Sequence, residues 1–313
     1  MKTRKLIIAL LAMFALIAAA CGDDDDGGAV ASGGNGDSEA PEGPAIKIGA
    51  QDFGESAILA EIYGQVLEAN GYEVEQVSVG GFRDVLLGAF DSGDVNMSAE
   101  YAASMLEFLN GNAGEATGDA AETVELLQAQ LDEIGLVATE PAPAVDTNAF
   151  VITQETADAQ GFAKLSDLPA DGGGLKLGAP QDCETNPFCL PGLMDVYGID
   201  LSGGFTPLES GLVADALAED EVNIGVLFST SGRIADEGWV LLEDDMNMLA
   251  ADNITPVVSA EVAEAYGDQM VDLLNQISAA IDTDTLTELN KRFDIDKEDA
   301  ADIAADFIAD AGL

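Results

Sequence analysis

Residues 46–67 read IKIGAQDFGESAILAEIYGQVL and combine a strand pattern with a helix pattern. Ile46 and Ile48 alternate as in a short buried strand, and a polar turn containing Asp52 follows them. The apolar residues that then recur at helical spacing are Ile58, Leu59, Ile62, Val66 and Leu67. The pattern predicts the first βα unit of an α/β domain, in which the turn at the carboxyl end of the strand can face a ligand.

The first twenty residues have the pattern of a secretory signal peptide. Lys2, Arg4 and Lys5 precede an uncharged apolar run over residues 6–20, which ends in small residues. At about 15 residues this run is short for a membrane-spanning helix. We therefore predict that residues 1–20 are a signal peptide and that the protein is exported.

Cys21 follows three alanines, and this pattern resembles the lipobox of bacterial lipoproteins, with Ala18 in place of the usual leucine. The resemblance implies that Cys21 is lipidated; the alternative is ordinary signal cleavage next to an incidental cysteine. Residues 21–44 are rich in Gly, Ser and Asp, a composition typical of a flexible acidic tether.

The chain is strongly acidic, with 59 Asp and Glu against 11 Lys and Arg and a formal net charge of −48. Nucleic acid is excluded as a partner because so few cations could neutralise its phosphates. Attraction to an anionic membrane surface is disfavoured as well, so attachment would depend on the lipid. Solubility in high salt and a compositional bias of the genome both explain the acidity, and the sequence does not separate them.

The sequence contains no histidine. This absence excludes Ser-His and Cys-His nucleophile pairs and most zinc sites. Besides Cys21 the only cysteines are Cys183 and Cys189, and in an exported protein this spacing favours a local disulfide over a metal site. We predict no metal site, no cofactor and no enzymatic activity.

The remaining pattern alternates strands and helices in two series and ends in a helical segment, which indicates a mostly parallel sheet between helices in each series. Residues 260–281 read as one continuous helix with an apolar stripe. The chain is expected to cross between two lobes near 144–148 and 246–253. Lobe 1 then comprises 45–146 with 253–313, lobe 2 comprises 147–252, and a ligand cleft lies between them.

Several segments, in order along residues 46–295, resemble the osmoprotectant-binding proteins of ABC transporters, the ProX/OpuC-like family for glycine betaine, choline and proline betaine. Residues 49–56 (GAQDFGES) resemble the family's G-S-K-N-F-T-E-Q turn and keep Phe53 and Glu55. Residues 93–104 (GDVNMSAEYAAS) resemble its G-E-I-D-L-Y-P-E-Y-T-G-T segment and keep Glu100 and Tyr101.

The later segments match shorter motifs of the same family. Residues 191–198 carry its P-G-L and Y-G, residues 228–234 resemble its T-D-G-R-I loop with serine for aspartate, and residues 241–258 match L-E-D-D…N…P-V-V. The resemblance implies an α/β, two-lobe type II periplasmic-binding-protein fold. It also implies a monomeric extracytoplasmic receptor, lipid-anchored on the outer face of the cytoplasmic membrane, that delivers a small osmolyte to ABC permease subunits.

A quaternary ammonium is held by the faces of aromatic rings, and a carboxylate of the solute needs N–H donors or an arginine. Only Tyr101 stands at a position matching the family's cage tyrosines, and Asn148, with Phe150 nearby, aligns where relatives often have another. The predicted ligand-binding residues are Asp52, Phe53, Ser98, Tyr101, Asn148, Phe150, Thr230 and Ser231.

Six of these residues also have an alternative role. Phe53 and Phe150 could pack in the core, Tyr101 could be a packing residue at the start of a helix, and Asn148, Thr230 and Ser231 could merely cap strands or helices. Arg83 and Arg233 could pair with carboxylates of the protein rather than of a ligand.

Three other functions stay open at this stage: the same receptor role for a different small polar or zwitterionic solute, a non-transport sensory surface domain, and an exported enzyme with a carboxylate pair or Ser-Lys dyad.

Overall fold

The computed structural model describes residues 42–313. The predicted signal peptide, Cys21 and most of the predicted tether lie outside the described residues. Within residues 42–313, no helix is both long enough and apolar enough to cross a membrane.

Ten strands and twelve α-helices build this part of the chain. The strands are β1 (Ile46–Ala50), β2 (Val74–Ser78), β3 (Met97–Tyr101), β4 (Leu136–Ala138), β5 (Asn148–Ile152), β6 (Leu177–Ala179), β7 (Phe205–Pro207), β8 (Ile224–Phe228), β9 (Val240–Leu241) and β10 (Ile254–Ser259). The helices are α1 (Gly54–Ala69), α2 (Arg83–Ser92), α3 (Ala102–Asn110), α4 (Ala120–Leu131), α5 (Gln154–Gln160), α6 (Leu190–Gly192), α7 (Ser210–Ala218), α8 (Gly232–Asp236), α9 (Ala260–Tyr266), α10 (Asp268–Ala279), α11 (Thr283–Asp294) and α12 (Ala300–Ala311).

The strands form two separate five-stranded sheets, with orders β2-β1-β3-β10-β4 and β7-β6-β8-β5-β9. Each sheet has its own apolar core: Ile48, Ile62 and Leu274 are buried in the first, and Leu177 and Ile224 in the second. The predicted two-lobe α/β architecture is therefore confirmed.

Both sheets are mixed, but four of the five strands in each run in the same direction, so the prediction of mostly parallel sheets holds except for one strand in each sheet. β10 runs antiparallel to β3 and β4, and β5 runs antiparallel to β8 and β9. These are the two strands that the chain enters directly from the other sheet, and it therefore traverses them in the opposite direction. Strand periodicity identifies a strand but not its direction.

The two stretches that connect the sheets lie side by side. Val145 and Asn253 form an antiparallel bridge, the Asp146 N–H donates to the Asp252 carbonyl at 2.9 Å, and the Ile254 N–H donates to the Ala144 carbonyl at 3.2 Å. This paired connection is the backbone link between the two lobes.

One helix prediction needs correction, and one helix was not predicted. Residues 260–281 form α9 and α10 rather than one helix, because Gly267 adopts φ 61° and ψ −156° and interrupts the helical backbone. Glycine tolerates this conformation, which an L side chain rarely adopts. α5 was not predicted because its seven residues, QETADAQ, present no apolar stripe.

Candidate functional site

Three aromatic rings meet where the two lobes face each other. Phe53 follows β1 and Tyr101 ends β3, both in the first sheet, whereas Phe228 ends β8 in the second. The Phe53 ring centroid lies 6.2 Å from that of Tyr101 and 6.3 Å from that of Phe228. Phe228 is 40 % exposed, which is unusual for a phenylalanine at the end of a buried strand. Rings from both lobes therefore form one cluster that is open on the Phe228 side.

A buried carboxylate lies directly behind this cluster. Glu55 sits in the first turn of α1, and its Oε1 accepts a hydrogen bond of 2.6 Å from the Tyr101 hydroxyl. Its Oε2 accepts from Thr230 Oγ1 at 2.6 Å and from the side-chain amide of Asn290 on α11. Burial raises the pKa of Glu55, against the hydrogen bonds from Thr230, Tyr101 and Asn290, which lower it. Glu55 thus ties the tyrosine of one lobe to the threonine of the other.

Asp146, in the first connection between the sheets, contacts the same threonine. Thr230 Oγ1 is 2.9 Å from Asp146 Oδ1, and the Thr230 N–H donates to that oxygen at 3.2 Å. Burial and the neighbouring charge of Glu55 raise the pKa of Asp146 well above its usual range. Thr230 is therefore held between two buried acidic groups.

Arg83, at the start of α2, is engaged by the protein itself. Its Nε donates to Glu100 Oε2 at 3.0 Å, and Gln51 Nε2 donates to Glu100 Oε1 at 3.1 Å. Asp252 caps the start of α3 by accepting from the Ala103 N–H at 2.8 Å, and burial raises the pKa of Asp252 to about 6.

Arg233 is engaged as well. It pairs with Asp215 and Glu237, and its guanidinium lies 5.5 Å from the centroid of the Trp239 ring.

A second contact between the lobes lies beside the disulfide loop. The structure joins Cys183 and Cys189 in a disulfide. The adjacent Phe188 is buried against Ala103 of α3, and Asn148 Nδ2 donates to the Phe188 carbonyl at 3.1 Å. Asn148 therefore positions the loop that meets the first lobe.

The structure places the predicted ligand residues in different surroundings. Phe53, Tyr101 and Thr230 come together in the cluster described above. Phe150 lies on the buried face of β5 and packs in the core of the second lobe. Ser98 is fully buried in β3 and donates to the Gly49 carbonyl at 3.1 Å, which makes it a structural residue.

Two further predicted residues lie at the edge of the cluster. Asp52 is exposed in the turn before Phe53, and Ser231 is half-buried as the residue before α8. Neither side chain forms a hydrogen bond among the described residues that would fix it in another role.

Sequence reasoning missed four residues of the site: Phe228, Glu55, Asp146 and Asn290. Glu55 resembles an ordinary acidic residue in a first helical turn, where it suits the helix dipole, so its burial could not be read from the pattern. The sequence signal for Phe228 was available, since an aromatic residue at the carboxyl end of a predicted strand points toward the expected cleft.

The chemistry of the site is that of binding. Among the described residues, no group of three or more His, Cys, Asp or Glu side chains could hold a metal ion. The cluster offers ring faces and buried hydrogen-bonding groups, with no activated nucleophile among them.

The sequence model of one protein family, described as the substrate-binding domain of the ABC-type glycine betaine transport system, matches residues 44–310. The chain belongs to this family. It is a solute-binding protein of an ABC importer and not an enzyme, which confirms the resemblance drawn from the sequence motifs.

Two curated relatives support this assignment along nearly the whole chain. The glycine betaine-binding protein YehZ of Escherichia coli K12 is 28 % identical over 281 residues, which are 85 % of this chain and 90 % of the relative. The glycine-betaine-binding protein of Pseudomonas aeruginosa PAO1 is 30 % identical over 279 residues, covering 86 % and 88 %.

Solved structures show the same fold. A structure described as a glycine betaine/carnitine/choline ABC transporter superposes with a TM-score of 0.69 at 23 % identity, covering 87 % of this chain and 99 % of that one. Apo YehZ from Escherichia coli gives a TM-score of 0.63 at 27 % identity, covering 86 % and 99 %. These similarities confirm the two-lobe periplasmic-binding-protein fold.

Proposed function

We propose that the protein captures a quaternary ammonium compatible solute, such as glycine betaine or choline, on the rings of Phe53, Tyr101 and Phe228. The observation that carries this proposal is the cluster of these rings at the meeting point of the lobes. Ring faces attract a quaternary ammonium, which has no N–H to donate and therefore gains little from hydrogen-bond acceptors. Membership of the glycine betaine family and the two glycine betaine-binding relatives support the same solute class.

The negative charge behind the rings supports a cationic group at this place. Glu55 lies one hydrogen bond from the Tyr101 hydroxyl and shares Thr230 with Asp146, so the negative charge that this acidic pair carries adds to the attraction that the ring face exerts. A carboxylate on the solute would find Arg83 already bound to Glu100, and it would have to use backbone N–H groups, such as those of the uncapped first turn of α1.

Only Tyr101 of the ring cluster stands at a position matching the family's cage tyrosines, which favours a second candidate ligand for the same receptor. Relatives named as carnitine transport binding proteins are 24 % identical to this chain over 267 residues. A longer zwitterionic solute is therefore the alternative ligand.

The two lobes serve as the closing parts of the receptor in this proposal. Residues 45–146 with 253–313 form one body and 147–252 the other, and the solute favours the arrangement in which both contact it. A decrease in the radius of gyration on adding solute, measured by small-angle scattering, tests this motion; an unchanged radius contradicts it.

Delivery to permease subunits and attachment to the membrane complete the proposed role. Residues 1–20 export the monomeric chain, and lipidated Cys21 anchors it on the outer face of the cytoplasmic membrane. Mass spectrometry of the N-terminal peptide tests this directly: a lipid on Cys21 supports the anchor, and an unmodified Cys21 or cleavage elsewhere contradicts it.

A thermal-shift panel on the exported chain tests the ligand class. Glycine betaine, choline, proline betaine, carnitine, ectoine and proline are compared at low and high salt. A solute present at about 100 times its Kd adds about 2.7 kcal/mol to the free energy of unfolding. A shift with betaine, choline or carnitine supports the proposal, whereas a folded protein that responds only to ectoine or proline contradicts the quaternary-ammonium assignment.

A further inference from the structure

Two buried carboxyl groups meet at a single hydroxyl between the lobes. Thr230 Oγ1 lies 2.6 Å from Glu55 Oε2 and 2.9 Å from Asp146 Oδ1. A threonine hydroxyl carries one hydrogen, so it can donate along only one of these two contacts. The other contact is a hydrogen bond only when a carboxyl group supplies the hydrogen. The geometry therefore calls for one proton shared by the two acids.

The groups that face this pair from the surrounding elements do not neutralise its charge. From β3 and the second connection, the titratable neighbours are acidic or phenolic. They are Tyr101, Glu100 and Asp252. α11 also contributes the neutral amide of Asn290, whose Oδ1 is buried without a hydrogen-bond partner in the described part of the chain. Such surroundings favour the protonated form of one acid.

The nearest basic side chains are bound elsewhere. Arg83 pairs with Glu100, Arg233 pairs with Asp215 and Glu237, and Lys291 of α11 lies 4.0 Å from Glu288. Among residues 42–313, no lysine or arginine forms an ion pair with Glu55 or Asp146. Two ionised carboxylates that contact the same hydroxyl in a buried site, with no cation paired to either, would repel each other.

We propose that Glu55 and Asp146 share one proton through Thr230 in the arrangement of the lobes seen here, and that solute binding takes up this proton from solution. The inference rests on the proposed function, since the solute is what favours this arrangement. Glu55 belongs to a helix on the first sheet and Thr230 follows a strand of the second, so separation of the lobes would break their contact. Water would then reach Glu55, which ionises at neutral pH when hydrated.

The same contact makes Glu55 a positioning residue for the ring cluster. Its Oε1 holds the Tyr101 hydroxyl while its Oε2 holds Thr230 of the other lobe. The orientation of the tyrosine ring and the approach of the second lobe are therefore linked through one carboxyl group. A change in the protonation of Glu55 therefore affects both the tyrosine ring and the second lobe.

The sign of the pH dependence follows from the proton count. The bound arrangement holds more protons than the separated one, so solute affinity falls as pH rises from the pKa of hydrated Glu55 toward the raised pKa of the pair. The fall is at most about tenfold per pH unit for one proton. A quaternary ammonium group does not titrate, and the carboxyl group of glycine betaine is ionised throughout this range. The proton taken up on binding is therefore bound by the protein and not by the solute.

Titration calorimetry in two buffers of different ionisation enthalpy at pH 7 measures the uptake, with glycine betaine and choline as probes. We expect about 0.5–1 proton per bound solute. Glu55→Gln and Asp146→Asn each remove one acid, and binding that these variants retain is expected to proceed without uptake. Glu61→Gln, which removes a partly exposed carboxylate from the same helix, is the matched control and is expected to keep the wild-type uptake.

Equal binding heats in both buffers for the wild-type protein would overturn the inference. If neither probe binds, the proposed function fails and the inference that rests on it falls with it, whereas equal heats with measurable binding overturn the inference alone. Infrared spectroscopy at neutral pH of the protein saturated with the solute that binds gives a second readout. A band from a protonated carboxyl that disappears in Asp146→Asn supports the shared proton, and absence of such a band in the solute-bound wild-type protein overturns it.

Discussion

Tyr101 shows how one side chain connects binding to stability. Its ring faces Phe53 in the cluster, and its hydroxyl donates to the buried Glu55. Burial, together with the negative charge of the Glu55–Asp146 pair, raises the pKa of the hydroxyl well above its usual range, so Tyr101 remains a hydrogen-bond donor at all physiological pH values. Separate substitutions can therefore test the role of the ring in binding and the role of the hydroxyl in stability.

Tyr101→Phe is expected to lower the free energy of unfolding by about 1–3 kcal/mol, because Glu55 loses a buried donor. Affinity for the solute should fall far less than in Tyr101→Ala, which removes the ring and should cost about tenfold or more. Denaturant unfolding and calorimetric titration measure the two effects. Tyr63→Phe is the control, since it deletes a buried hydroxyl bonded to Ser278 and should reduce stability without changing affinity. Equal affinity of Tyr101→Ala and wild type would contradict the role of the ring.

At this scale the sequence predicted Phe53, Tyr101 and Thr230, because each stands in a motif with a recognisable pattern. It could not predict that Phe150 is buried in the core, because on a strand with apolar residues on both faces the pattern does not say which face meets the cleft. Glu55, although it stands in the same family-like segment as Phe53, and Asp146 were not predicted as site residues for a related reason. In a chain with 59 acidic residues, an acidic residue carries little information until its burial is known.

Within residues 228–232, which join β8 to α8, the second lobe supplies both Phe228 of the ring cluster and Thr230, which contacts Glu55. Phe228, Thr230 and Gly232 follow one another at alternate positions, and Gly232 packs against the backbone of α11. A Cβ at residue 232 would lie 2.6 Å from Lys291 Cβ and 2.7 Å from its Cα. The close approach of α8 to α11 thus depends on the absence of a side chain.

Gly232→Ala is expected to push α8 and Thr230 away from Glu55. We predict a loss of about 1–3 kcal/mol in the free energy of unfolding from overpacking, together with weaker solute binding. Gly211→Ala is the matched control, because residue 211 is an exposed position of α7 where an added Cβ would meet no other atom within 4 Å. Alanine at that position should stabilise the helix by up to about 1 kcal/mol. Thermal unfolding and calorimetry check both variants, and a Gly232→Ala protein as stable as wild type would refute the packing argument.

The elements themselves were largely predictable, and their ends were less so. The pattern that marked residues 260–281 as one helix continues on both sides of Gly267, so only the backbone conformation of that glycine reveals the break. Strand direction was not predictable either, since β5 and β10 become antiparallel only because the chain returns from the other sheet.

The whole molecule carries a formal net charge of −48, which creates self-repulsion in the folded state. Raising the salt concentration from about 0.1 M to 1 M shortens the screening length from about 10 Å to about 3 Å. We predict a gain of at least about 1 kcal/mol in the free energy of unfolding, equivalent to roughly 2–4 °C in Tm. Thermal unfolding in a sodium chloride series measures it, with sucrose as a control that stabilises without screening. A flat series would show that the acidity does not limit stability.

The central claim is that rings from both lobes hold a quaternary ammonium solute, and Phe228 is the ring contributed by the second lobe. The most direct measurement is calorimetric titration of the wild-type protein, Phe228→Ala and Phe108→Ala with glycine betaine and choline. Phe108→Ala is the control because it removes another exposed phenylalanine, 45 % accessible at the end of α3. We predict that at least one solute binds the wild-type protein, that Phe228→Ala weakens this binding about tenfold or more, and that Phe108→Ala does not. Binding of neither solute, or equal binding by Phe228→Ala and wild type, would contradict the claim.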